Sequence, residues 1–468
     1  MNHDGQEPLV THGDPLAILR DPATVRLRCA AIAQAVERGD SGWFTLDRSR
    51  LPAAAERVAA TIRMRHPDLA IPPHGCWRHL QAGGVDRIAE LDDRLQGLPA
   101  EEQARARLDL TAVVALMGAG AGAAWRYDEA RGPGRLALPV QQATRDELLA
   151  LLDQTASGQT RPVPAGTTAP APETGAAPGT ALSRAEGLAV ACFRAFVAGA
   201  FSADPARPCR VDASALRTLD AAAVRAMFQA GPSNPLIGVE GRAGLLARLG
   251  QVLLEAQERH GLPARPSLLA ERLTDGFARG EVDAGALLHE LLRSLAPVWS
   301  GGSTVCGQPA GDVWPHRWAG QASRAGRDAI TAHWVPFHQP GQWLAYSWVE
   351  PLARAGVRVT NTARLTGLPD ARNGGLMLDC GVIVPRAAAD LERTWAPGDE
   401  FVVEWRALTL ALLDELAPRV RQLLGVDEAR LPMSALMEGG TWHTGGELAA
   451  ERRDDSPPLR VTGEGTVF

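Results

Sequence analysis

The segment Leu365 to Gly375, LTGLPDARNGG, sets one carboxylate two residues from one guanidinium in a turn bounded by proline and glycine. Asp370 follows Pro369 and precedes Arg372. Loops and turns of this kind often carry catalytic groups. An aspartate held near an arginine stays ionised, and can attack, activate water or stabilise a developing cation. The same pattern equally makes an Asx-turn cap, so both roles stay open. Glu404 and Arg406 alternate along DEFVVEWRAL (399–408), which reads as a strand with both side chains on one face. They suit a structural pair, or a site in which Glu404 serves catalysis or holds a sugar hydroxyl. Glu438 in MEGGTW and Asp86 in GGVDR are further candidate carboxylates.

Five irregular blocks mix Trp or Phe with charged and amide side chains beside Gly or Pro. They are PPHGCWRHLQAGGVDR, GDVWPHRW, WVPFHQPGQWLAYSWVEP, LTGLPDARNGG and LMEGGTWHTGGE. A buried helical scaffold does not need such segments. They suit a cleft in which an aromatic face packs a ring or sugar and a few polar groups orient it. Trp343 and Trp442 are the candidate walls, with His338, Gln342, Asn373 and Glu438 as candidate polar contacts. Arg78, Arg372 and Arg406 are the natural phosphate partners. Each block alone can also be read as Trp and Gly-Gly shaping a corner. His74 and His79 flank Trp77 and Arg78 without a clear third ligand, so they read as pocket-lining rather than metal-binding residues.

Composition narrows the chemistry. The 468 residues allow two or three domains, and a hydrophobic share of 45% is that of a globular chain. A net charge of −6 does not suit a nucleic-acid or membrane-surface binder. Every basic side chain is arginine; the chain has no lysine. That excludes Schiff-base catalysis, pyridoxal-phosphate attachment and a P-loop lysine. The six cysteines are scattered without a CxxC pair, and the opening MNHDGQEPLVTHGDP has no basic segment followed by an apolar run. Reduced, mostly buried thiols and a cytoplasmic location are expected.

The elements that must position these residues are mainly helices. Apolar spacing predicts helices across 14–65, from about Ala89 through RLDLTAVVALMGAGAGAAWRY, and over 184–202, 213–230, 240–260, 265–280 and 284–296. Gly118, Gly120 and Gly122 fall within an apolar helical run and read as close packing rather than a nucleotide loop. Residues 155–180 are Pro/Gly/Thr/Ala-rich and predict a linker. It would divide an N-terminal helical region (1–154) from a catalytic region (181–468) that forms one cleft with 71–87. Strand candidates are confined to 356–363, 375–384 and 399–408. The fold class is mainly α and multi-helical, with a small β element towards the C-terminus.

At the irregular blocks the chain resembles the uracil-catabolism family of fungi and bacteria, the Urc-four/Urg-three type. The resemblance rests on IPPHGCWRHLQAGGVDR (71–87), RAEGLAVACFRAFVAGAFS (184–202), NPLIGVEGRAGLLARLG (234–250) and GDVWPHRW (311–318). It continues through VPFHQPGQWLAYSWVEPL (335–352), LTGLPDARNGGLMLDCGVIVP (365–385) and MEGGTWHTGGELAAERR. A remoter likeness joins WVPFHQPGQWL, LTGLPDARNGGLMLDCGVI and EFVVEWRAL to the queuosine-salvage N-glycosidases. Those are helical, DNA-glycosylase-like enzymes in which the Asp of an Asp-Tyr-Arg triplet is catalytic. Here the matching triplet is Asp370-Ala371-Arg372, and the family's Lys-x-x-Gln becomes Gln339-Pro340-Gly341-Gln342. Those departures remove a lysine and a hydroxyl.

These resemblances imply an N-glycoside hydrolase that releases urea from a ribosylurea, its 5-phosphate or a related uracil nucleotide. Asp370 would be catalytic, with Glu404 beside it. His74, Arg78, His79, Arg372 and Arg406 would meet the phosphate or urea carbonyl, and no metal or other cofactor is required. The implied partners are the ribosyl or phosphoribosyl substrate and a cyclohydrolase-like pathway enzyme. The alternatives are a uracil phosphoribosyltransferase and a non-catalytic scaffold of the same route.

Overall fold

A computed structural model describes residues 16–131, 181–260, 264–299, 302–322, 330–463 and 465–466. The linker expected at 155–180 lies outside them. The chain divides into two compact units, Met1–Gly75 with Leu269–Phe468, and Cys76–Leu268. Both are mainly helical, and among the described residues the strands form two-stranded pairs only. Among the described residues no helix is long and apolar enough to cross a membrane.

The first unit is organised by the helix Glu400–Leu424. Its first half is buried nearly all round, from Phe401 through Leu410, so it must be covered on every side. Helices Pro22–Glu37, Leu51–Arg65 and Ala371–Asp379 pack on it. The first of these starts as its sequence requires: Asp21 accepts from the N–H of Ala23 at 2.9 Å, and Pro22 occupies the first helical position. Short pairings tie distant segments together. Phe44–Leu46 runs antiparallel to Ile383–Pro385, and Glu281–Asp283 runs parallel to Arg358–Thr360.

Two strand assignments need correction. The stretch 399–408 is the start of that long helix, so Glu404 and Arg406 point to different sides rather than one face. Its continuous apolar run satisfies a fully buried helix as well as a strand, and length decides between them. The stretch 375–384 is mostly the helix Ala371–Asp379, with strand only from Ile383.

The second unit carries helices Arg87–Leu95, Ala100–Met117, Arg184–Val197 and Val239–His260. Several of its buried charges are paired: Asp109 accepts from Arg265 at 2.8 Å, and Arg87 and Arg194 share Glu129. Gly118, Gly120 and Gly122 follow the end of Ala100–Met117 rather than lying within it. There Arg242 donates to the carbonyls of Ala119 (2.7 Å) and Gly120 (2.9 Å), supplying partners that the ended helix no longer does. All six thiols are free; Cys29, Cys76 and Cys192 are buried, while Cys306 is exposed.

Candidate active site

The run leading to Asp370 is extended and buried, without a strand beside it, so side chains must satisfy its backbone. Gln342, on the helix Gln339–Ser347, does most of this. Its Oε1 accepts from the N–H of Thr366 at 2.7 Å, and its Nε2 donates to the Thr366 hydroxyl at 2.6 Å and to the Phe337 carbonyl at 3.0 Å. The Tyr346 hydroxyl donates to the Thr366 carbonyl at 2.8 Å, and the N–H of Leu368 meets the Met437 sulfur at 3.4 Å. Asp370 therefore emerges from a fixed rail.

Asp370 then caps the helix Ala371–Asp379. Its backbone is extended (φ −87°, ψ 174°), and its Oδ1 accepts from the N–H groups of Arg372 and Asn373 at 2.8 Å each. Buried Asn373 donates to Asp370 Oδ2 at 3.0 Å and to the Leu368 carbonyl at 2.9 Å, and accepts from Thr441 at 2.7 Å. The carboxyl is half-buried, and burial pushes its pKa above the ordinary 3.8. The cap bonds and the charges of His74 and Arg372 oppose that shift without cancelling it.

Opposite this helix, Met437–Thr441 forms a π-helical turn that leads into the helix Trp442–Arg453. His74 is buried, and its Nδ1 lies 2.6 Å from Oε2 of Glu438 on that turn. A carboxylate can only accept, so this contact holds a proton on Nδ1. The imidazole stands edge-on to Trp343 at 5.1 Å and tilted to Trp442 at 6.0 Å. The guanidinium of Arg372 lies over the Trp442 ring at 4.0 Å. His443, next to Trp442, is driven down to about 4 by burial and by the nearby Arg65, so it is neutral at pH 7.

The paired glycines are what allow this closeness. A Cβ on Gly374 would enter the Trp405 indole, and one on Gly445 would meet the Arg372 backbone. A Cβ on Gly440 would come 2.8 Å from Val58. Corners are not what these glycines shape; they let helices touch.

Asp370, Arg372, Asn373, His74, Glu438, Trp343 and Trp442 thus gather in one unit, with Gln342 behind them as a support. Other candidates face other groups. Arg406 makes a buried, two-pronged pair with Asp312 (2.8 and 2.7 Å), lies over Phe337 and reaches Gln339 at 3.2 Å. His338, left-handed at φ 51°, is bonded through Nε2 to the Leu19 carbonyl at 2.7 Å. Glu404 accepts from the Ser41 hydroxyl and lies 3.4 Å from His316. Arg78 and His79 belong to the other unit, where Arg78 donates to Gln81 at 3.0 Å. Sequence reasoning missed His443, Asp312 and His316. The first sits in the quoted TWHTGGE, the other two in GDVWPHRW, so their signal was the block and not their spacing.

Such a cluster is that of a helical protein with an acid–base-capable carboxylate set among aromatic walls and a cation. The chain belongs to the family described as "Protein of unknown function (DUF1688)", whose model matches residues 18–153 and 166–468. It is 31% identical to "Uracil catabolism protein 4" of Lachancea kluyveri, over 98% of this chain and 100% of that protein. It is also 31% identical to "Protein urg3" of Schizosaccharomyces pombe, over 95% of this chain and 96% of that protein.

Proposed function

We propose that this protein acts in uracil catabolism as an N-glycoside hydrolase, splitting the C–N bond of a ribosylurea or its 5-phosphate to urea and ribose or ribose phosphate. The pathway is supported by the name of the Lachancea relative, which matches end to end. The chemistry is supported by the Asp370 carboxyl, fixed at a helix N-terminus and raised by burial beside His74–Glu438 and Arg372–Trp442.

Glycosidic cleavage passes through an oxocarbenium-like state that needs an anion near the anomeric carbon. Asp370 supplies it. A carboxylate with a raised pKa is also the better base, so it takes the proton of the attacking water. The new C–O bond replaces the C–N bond, and the leaving nitrogen gains a proton delivered through the His74–Glu438 pair. Trp343 and Trp442 exclude water from the sugar, and Arg372 meets its phosphate or the urea carbonyl.

The test incubates the purified protein with ribosylurea, ribosylurea 5-phosphate, uridine and UMP, and follows urea and uracil. Release of urea without pyrophosphate supports hydrolysis. Formation of UMP from uracil and activated ribose phosphate would overturn it in favour of transfer. Binding without turnover, unchanged in Asp370→Asn, would make the protein a scaffold.

A further inference from the structure

Asn373 lies in the first turn of the helix Ala371–Asp379 and is 0% exposed. A side-chain amide has two hydrogens to give and one oxygen to accept with. Both hydrogens are placed: Nδ2 donates to Asp370 Oδ2 at 3.0 Å and to the Leu368 carbonyl at 2.9 Å. The oxygen accepts from the Thr441 hydroxyl at 2.7 Å, and Thr441 is also 0% exposed. Turning the amide over would set its oxygen against two oxygens that only accept, so its orientation is fixed. Buried and fully bonded, Asn373 has no hydrogen left to offer a bound sugar.

The lone pairs of Asp370 can be counted in the same way. Each oxygen of an ionised carboxyl has two. Those of Oδ1 go to the N–H groups of Arg372 and Asn373, at 2.8 Å each. One of those on Oδ2 goes to the Asn373 amide. A single lone pair remains, and it is on Oδ2.

Asn373 therefore grips both edges of one carboxyl, through its backbone N–H on Oδ1 and its side chain on Oδ2. A helix cap needs only the first of these bonds. The brace behind the second comes from the π-helical turn Met437–Thr441, whose Glu438 also meets His74. Such turns are rare and gather at functional sites.

We propose, on the reading that Asp370 is the acting carboxyl, that Asn373 is its positioning residue and touches no substrate. It holds the carboxyl plane so that the remaining Oδ2 lone pair takes the proton of the attacking water.

The first test needs no turnover. Asn373→Ala removes the side-chain donor and keeps the backbone cap. A donor favours the ionised form, so its loss raises the pH at which Asp370 ionises. His74 and Arg372 face this carboxyl, with Glu438 behind His74, and they are common to variant and wild type, so they cancel. Urea melts from pH 4 to 8 then show Asn373→Ala losing more stability as pH rises, by about tenfold in the folding constant. In an Asp370→Asn background that pH dependence vanishes. Asn373→Asp sets a second carboxyl against the first, and its dependence is steeper.

In turnover of ribosylurea or its phosphate, both variants move the acid limb of kcat/KM upward, by about one pH unit for Asn373→Ala. A stability loss that is the same at every pH, or a pH dependence that persists with Asp370→Asn, overturns the proposal. A defect confined to KM also overturns it, since that marks direct contact with substrate. The pH-dependent loss without turnover of any ribosyl substrate upholds the clamp and counts against the hydrolase reading alone.

Discussion

Replacing Asp370 with asparagine separates its charge from its capping geometry. The asparagine carbonyl can accept the same two N–H groups, now 2.8 Å from Oδ1, and Asn and Asp are near-equal caps. The helix N-terminus loses a favourable charge, about 0.3–1 kcal/mol. Burial, which already holds the carboxyl above its ordinary pKa, no longer opposes a charge, and that offsets much of the loss. One clash remains: the new amide NH2 faces Asn373 Nδ2, 3.0 Å from the present Oδ2, at about 1 kcal/mol for the hydrogen bond. The net cost is roughly 1 kcal/mol, a fall in Tm of about 1–2 °C for a chain of this size. Loss of a positioned base or stabilising anion instead lowers the rate by about 10²–10⁴-fold. Asp370→Ala removes the cap too, costing about 1 kcal/mol more, with no further loss of rate. Urea release and thermal melts on the two variants decide the matter. A rate for Asp370→Asn above about a tenth of wild type, or rates that merely track Tm, would refute the reasoning.

Three further outcomes follow from the same contacts. The raised Asp370 pKa places the acid limb of kcat/KM above the ordinary 3.8, and burial stabilises the protonated carboxyl relative to the ionised one in the fold. That contribution is present below 3.8 and lost as pH rises through the raised value, so Asp370→Asn loses least stability relative to wild type at neutral pH; pH-dependent urea melts of both proteins check this. Gly446→Ala pushes the flexible tip of Arg372 off Trp442 and raises KM with little change in Tm, whereas Gly374→Ala meets the Trp405 ring and destabilises by about 1–3 kcal/mol or more. Equal stability losses in the two would contradict this. Asp312→Ala strands the buried Arg406 and costs about 3–5 kcal/mol, readable as a lowered denaturation midpoint.

The helices were legible because their apolar spacing matches the faces they bury. Val239–His260 and Ala284–Leu295 lie close to where the periodicity puts them. Where a helix is buried all round, that signal fails. Glu400–Leu424 has no polar stripe over its first ten residues, so EFVVEWRAL carries no period that separates it from a strand. The positions of Glu404 and Arg406 were misread for that one reason. Their partners, Ser41, His316 and Asp312, come from elsewhere in the chain, and no local rule pairs them.

Asp370 shows why the choice between cap and catalyst could not be made from LTGLPDARNGG. A cap uses lone pairs of one oxygen on two backbone N–H groups, and the structure has that cap. It also has what a cap does not need. The rail built by Gln342 and Tyr346 fixes the residues before Asp370, and Asn373, itself held by Thr441, bonds the second carboxyl oxygen. A surface cap is left to solvent; this one is half-buried, desolvated and faced by a His–Glu pair and an arginine on an indole. Desolvating a capping carboxylate lowers the stability it can contribute, because burial opposes its charge. The burial of Asp370 is therefore the feature that capping leaves unexplained, and it is the one on which the proposed role of this carboxyl rests.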